Sequence, residues 1–261
     1  MAIFGIDSAH WQGVLPVSQL EAAGLSFAIV KATHGASASP DSQFKTSWKR
    51  LSDSPILQSA YGWFTDADPN LQAEAMIRAV ERVQDCDIPL GVDFEEPSTI
   101  FRGNELLDRL RVMLARVRQL SGQRKILLYS GAWYIDKFVG DVPMDDIIEE
   151  NFYWHSEYPR LILRDKRACG LLPPELPKPR LPRAWIKKGA EETIWQYDGT
   201  GGCVLPNGVD ADFNIFNGTV EEMRALLPSF EVADTVPAGP IEYIDPTATL
   251  AGEFVKTLPS D

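Results

Sequence analysis

Apolar and polar positions alternate with two periods along this chain. Short β-rich runs with strand-like patterning fall at Ala2 to Asp7, Phe27 to Ala32, Ser59 to Phe64, Leu90 to Glu95, Lys125 to Ser130, Phe152 to Glu157, Thr193 to Tyr197 and Asp210 to Phe216. Between them the period lengthens. Leu106, Leu107, Leu110, Met113, Leu114 and Val117 mark one buried face of a helix predicted over Asn104 to Leu120. A second helix is predicted over Leu71 to Val83 behind Pro69-Asn70, and Thr219 with Glu222 forms the capping-box pattern of a last short one. Alternating strands and helices predict an α/β fold with a parallel sheet, and eight strands predict a single TIM-like (β/α) barrel. The later connections are short or irregular, so fewer than eight regular helices are expected. No internal repeat is present.

The chain has 261 residues, 44 % apolar and 10 % aromatic, enough for an ordinary core without disulfide staples. Residues 1–228 carry the barrel pattern. Residues 229–261 hold four prolines, six acids and one lysine with no sustained period, and read as an acidic tail or linker. A net charge of -12 has the wrong sign for a phosphate-backbone binder, so nucleic acid is not an expected partner. Cys86, Cys169 and Cys203 are odd in number and lack CxxC spacing, and His10, His34 and His155 are not at metal spacing. No metal or other cofactor is expected. No run of 18 apolar residues occurs, and no basic stretch or apolar signal segment precedes the first strand, so neither membrane insertion nor a signal peptide is expected. Arg160 to Lys188 holds nine basic residues against two acidic ones, a local +7 stiffened by prolines. It fits a solvated loop, and it also fits a contact with an anionic polymer.

In such barrels, catalytic groups gather where the strand C-termini share one mouth. Proposed strand ends carry Asp7, His10-Trp11-Gln12, Lys31, His34, Tyr61, Trp63, Asp93, Glu95, Glu96, Tyr129, Trp154, Tyr158, Trp195, Gln196, Tyr197 and Asp210 or Asp212. Carboxylates and aromatics dominate this set. Asp93 and Glu95, two apart on one strand, would face the same side about 6.5 to 7 Å apart along it. Two acids in a desolvated site repel as anions, which leaves one protonated beside an ionised partner, the division of labour that glycosidic hydrolysis needs. Trp11, Trp63, Trp154 and Trp195 at the strand ends would offer faces for sugar rings.

The run Gly5-Ile-Asp7-Ser-Ala-His-Trp-Gln-Gly13 resembles the opening signature of glycoside hydrolase family 25, the Chalaropsis-type lysozymes or N-acetylmuramidases. Further resemblance follows in order at Phe27 to Gly35, Ala60-Tyr61, Pro89 to Glu96, Ile126 to Ser130, Tyr153-Trp154 with Tyr158, Ile194 to Tyr197 and Asp212 to Phe216, spanning about residues 3 to 227. The resemblance implies a helix-poor eight-stranded barrel that cleaves the β-1,4 bond between N-acetylmuramic acid and N-acetylglucosamine in peptidoglycan, with retention. It implies Glu95 as general acid, with Asp93 orienting the substrate's 2-acetamido group as internal nucleophile; direct carboxylate attack is the alternative. Asp7 and Asp212 match two further acidic positions, Asp210 being the other choice for the last. Lys31, Tyr61, Trp63, Tyr129, Trp154 and Gln196 are expected to line the groove. Departures occur at His34, where the family commonly has Glu, and at Gly62-Trp63, where Tyr61 is commonly followed by His-Phe. They leave a catalytically silent glycan-binding or phage structural module as the second reading. The resemblance implies action at the bacterial cell wall, by a phage endolysin released through a holin, a virion-associated hydrolase, or a secreted enzyme without its leader.

Overall fold

A computed structural model describes residues 2–158, 178–199 and 211–227. The described residues belong to one compact unit, Met1–Pro228, and the stretch Ser229–Asp261 lies outside them.

Eight strands close a barrel in sequence order: β1 (Ile3–Ser8), β2 (Phe27–His34), β3 (Leu57–Trp63), β4 (Gly91–Asp93), β5 (Leu127–Gly131), β6 (Phe152–Ser156), β7 (Ile194–Asp198) and β8 (Asp212–Phe216). Neighbours from β1 to β7 pair in parallel, but β8 runs antiparallel to both β7 and β1. The all-parallel sheet expected from the alternation is therefore corrected at its last strand. The cause lies in the connection. A parallel return needs a crossover of a dozen or more residues, usually a helix, whereas Gly199 to Ala211 has four glycines and no helical period. The reversal brings the N-terminal end of β8 to the mouth, in register at Asp7 with Asp212.

Helices wrap the outside: α1 (Val17–Ala22), α2 (Phe44–Ser52), α3 (Pro69–Val80), α4 (Gly103–Ser121), α5 (Ala132–Tyr134) running into a π-turn over Ile135–Val139, α6 (Asp145–Glu150), α7 (Arg183–Lys188) and α8 (Val220–Arg224). Among the described residues only α2, α3 and α4 reach nine residues, as the irregular later connections predict. α3 starts earlier than the periodicity suggests because Asp68 caps it, accepting from the amides of Asn70 and Leu71, with Pro69 supplying a preset φ in the first turn. α4 buries the predicted stripe and stops at Gly122 in the left-handed region. The Thr219 and Glu222 capping box forms as read.

Strand alternation sorts the core into two layers. Outward residues such as Ile6, Ala28, Val30, Val92, Phe94 and Leu128 pack beneath the helices. Inward residues Ile3, Phe27, Ile29, Leu57, Leu127, Ile194 and Phe216 fill the barrel floor, which Met223 of α8 and its neighbours Val220 and Leu226 close from below. Gly5 makes this floor possible, because a Cβ there would lie 2.4 Å from the Phe27 ring.

Candidate active site

The same inward alternation, continued toward the mouth, gathers Asp7, Lys31, Tyr61, Trp63, Asp93, Tyr129, Trp154, Gln196, Asn214 and Asp212 on facing strands. The register pairs Lys31 with Tyr61, Trp63 with Asp93, Asp93 with Tyr129, Tyr129 with Trp154, and Gln196 with Asn214. β4 is shorter than read. It ends at Asp93, ahead of Glu95-Glu96-Pro97, so Glu95 is not a strand residue but stands just beyond it. Its backbone is nonetheless fixed from both sides: Ser130 Oγ donates to the Phe94 carbonyl at 2.6 Å, and Tyr134 Oη donates to the Glu96 carbonyl at 2.7 Å.

Trp154 forms the base of the cleft. Its ring is 1 % exposed and meets Tyr61 and Tyr129 edge-on, at 5.9 and 4.7 Å between centroids. Its Nε1 donates to Asn214 Oδ1 at 2.7 Å, which turns the Asn214 amide so that Nδ2 donates to Asp7 Oδ1 at 2.7 Å. Gln196 is oriented the same way. Its Oε1 accepts from both Tyr129 and Tyr158 hydroxyls at 2.8 Å, so its Nε2 faces Asp7 Oδ1, also at 2.8 Å. Asp212 Oδ2 receives Gln12 Nε2 at 3.5 Å.

Burial dominates the electrostatics. Asp7 is pushed up to about 6 by burial, with the amides of Asn214 and Gln196 pulling it back. Burial and then the Asp7 carboxylate push Glu95 up to about 7, opposed by Lys31 and a hydrogen bond from Tyr129. Asp93, 4 % exposed, is raised by burial and by Glu95, while Lys31 lowers it. Its Oδ1 has no hydrogen-bond partner among the described residues. A buried, unpaired carboxylate oxygen at the mouth is an acceptor set to take an N–H or O–H from a ligand. Lys31 is lowered by burial, with Asp93 acting against that shift.

The two departures from the expected pattern meet in one cluster. His34 stacks on Trp63, with 5.7 Å between centroids and 12° between planes, and Lys31 Nζ lies 4.1 Å from the Trp63 ring centre and 3.4 Å from His34 Nδ1. Trp63 Nε1 donates to Glu96, whose carboxylate also sits 3.6 Å from His34 Nε2. Glu96 is thus held by the two residues at which the sequence departs from the pattern the resemblance implies.

Not every expected position converges. Trp195 lies on the outward layer, its Nε1 donating to the Glu157 carbonyl at 2.8 Å, so it offers no face to a ligand in the mouth. Asp210 lies outside the described residues, as do Cys169, Cys203 and residues 160–177 of the basic segment. In its described part, Arg180, Arg183 and Lys188 pair with Asp136, Asp141, Asp145 and Glu149, which spends their charge within the protein. Cys86 is buried and free. His10 is held by Asp41 Oδ2 at 2.7 Å, and His155 is buried beside the Tyr153 hydroxyl at 2.9 Å. No group of three His, Cys, Asp or Glu among the described residues is arranged to hold a metal. Asn214 was not singled out by sequence reasoning, although its i+2 spacing from Asp212 puts it on the same face.

Known proteins resemble this chain over most of its length. Residues 6–204 match the family described as glycosyl hydrolases family 25. The protein YegX of Escherichia coli K12 is 29 % identical over 232 residues, covering 86 % of this chain and 73 % of that one. Lysozyme M1 of Streptomyces globisporus is 25 % identical over 231 residues, covering 85 % and 70 % respectively. A family 25 glycosyl hydrolase from Bacillus anthracis shares the fold with a TM-score of 0.67 at 24 % identity, over 85 % of this chain and 92 % of that one.

Proposed function

The chain belongs to glycosyl hydrolase family 25, and from that premise we propose that it is a peptidoglycan hydrolase acting as a lysozyme at the bacterial cell wall. The bond cut is the β-1,4 link between N-acetylmuramic acid and N-acetylglucosamine, with retention. The observation that carries this reading is the pairing of Glu95, raised to about 7, with the buried and partly unpartnered Asp93 at one barrel mouth.

Glu95, protonated below about pH 7, gives its proton to the leaving oxygen as the C1–O bond breaks. Asp93 Oδ1 accepts the N–H of the substrate's 2-acetamido group, which turns the acetamido oxygen onto C1 as the internal nucleophile. Water then attacks C1 from the face the leaving group vacated, losing its proton to Glu95 as the bond from C1 to the acetamido oxygen breaks, and the configuration is retained. Asp7 and Asp212 bind substrate hydroxyls and supply negative charge near the developing oxocarbenium. Lys31 and Trp63 form the wall beside Asp93, while Tyr61, Tyr129, Trp154 and Gln196 form the base and the opposite wall.

The test is mass spectrometry of borohydride-reduced products from purified peptidoglycan, comparing wild type with Glu95→Gln. Fragments ending in reduced N-acetylmuramic acid from wild type alone are expected. Reduced N-acetylglucosamine ends would move the scissile bond, and absence of any fragments would favour a glycan-binding module.

A further inference from the structure

Of the seven tryptophans, two are exposed, Trp11 at 81 % and Trp133 at 51 %. Both belong to the catalytic face. Trp11 sits in the 3-10 turn His10–Gln12 leaving β1, and Trp133 sits in α5 leaving β5. In a barrel closed in sequence order, strands 1 and 5 are diametrically opposed. Eight strands about 4.8 Å apart make the mouth about 15 Å across. Asp7, Asp93 and Glu95 lie on β1, on β4 and just beyond β4, within the span between the two rings.

Neither ring is exposed for want of a place to rest. The His10 ring lies 4.1 Å from Trp11, and His10 is itself fixed by Asp41. Trp133 lies over Gly131, where a Cβ would fall 2.5 Å from its Nε1, and meets Tyr134 edge-on at 5.6 Å. Each indole is therefore supported on one side and bare on the other. A supported, uncovered aromatic face costs free energy in water and matches the C–H face of a pyranose.

We infer that Trp11 and Trp133 are the outer stacking platforms of a groove that crosses the mouth from β1 to β5, so that the bound substrate is a glycan strand extending beyond the two sugars flanking the broken bond. This deepens the hydrolase reading and rests on it. The platforms add grip to rings remote from the chemistry, so their worth depends on chain length.

The experiment compares kcat/KM of wild type, Trp11→Ala and Trp133→Ala on a peptidoglycan-derived tetrasaccharide and on long glycan strands. For each variant the ratio of long-strand to tetrasaccharide kcat/KM is expected to fall about fivefold to tenfold, the loss of one stacked ring. An unchanged ratio, whether both substrates lose rate equally or neither does, overturns the platform role. A wild type that cleaves neither substrate counts against the hydrolase reading instead. The platforms are then decided by fluorescence titration of Glu95→Gln with an N-acetylglucosamine hexamer: binding weakened at least about fivefold by Trp133→Ala supports them, and equal binding overturns them.

Discussion

Gln196 Nε2 donates to Asp7 Oδ1 at 2.8 Å while two phenols, Tyr129 and Tyr158, both donate to the oxygen at the other end of the same amide. Two donors on one oxygen give Tyr129 freedom. It can turn its proton to Glu95 once Glu95 has become an anion, and Tyr158 alone then keeps Gln196 facing Asp7.

Tyr129→Phe removes that donor. Because the hydrogen bond holds Glu95 below the value burial alone would set, its loss raises the Glu95 pKa further. The basic limb of the kcat profile is expected to move to higher pH, with kcat down about tenfold or more. A profile with its basic limb unmoved would disconnect Tyr129 from the acid.

Glu95→Gln should lower kcat by about 10² to 10⁴-fold or more while keeping the side-chain shape. It should also stabilise the fold at alkaline pH. A carboxyl raised from 4.5 to about 7 by folding binds protons more tightly in the native state, so stability is lost as pH rises through that window. The amide does not titrate. The variant is expected to gain about 3 kcal/mol at most over wild type at pH 8, and to lose that advantage below about pH 4.5. Thermal melts at both pH values check the crossing.

Gly5→Ala places a methyl group 2.4 Å from both the ring and the carbonyl of Phe27. A backbone oxygen cannot swing aside as a flexible side-chain end can. A loss on the order of 3 kcal/mol is expected, read as a fall in denaturant midpoint.

Glu81 ends α3 with φ at +62°, the one non-glycine residue among those described with positive φ. Its ion pair with Lys45 is exposed and worth little. With ψ at -56° and the Arg82 amide donating to the Val80 carbonyl, Glu81 centres a strained γ-turn, and Glu81→Gly, which has no Cβ to strain, should raise stability by about 0.5 to 1 kcal/mol. An unchanged or lower melting temperature would show that the backbone there carries no strain.

How far the sequence could be read depended on periodicity. All eight strands were legible within a few residues because each inner face is continuous, and Asp7, Lys31, Tyr129 and Gln196 follow from alternation alone. The direction of β8 was not, since strand patterning is the same in both directions and only the glycine-rich connection before it carries the signal. Trp195 faces outward for the same reason that Gln196 faces inward: neighbours on a strand point to opposite faces, so only one can look into the barrel. The β4 boundary was missed because apolar pattern continues through Phe94, which is buried outside the strand's ladder. Networks such as Trp154 to Asn214 to Asp7 join residues 60 to 207 positions apart and have no local signature at all.

The reversed eighth strand also decides how the molecule can be handled. Ile3 and Phe216 are paired at the floor, and the chain leaves the sheet there into α8. The first strand's start and the last described helix therefore share the side opposite the catalytic cleft. A surface or fusion partner joined by a spacer directly before β1 or after α8 would leave the open face turned toward an insoluble polymer, whereas the same attachment in the loops after β1 or β5 would block it.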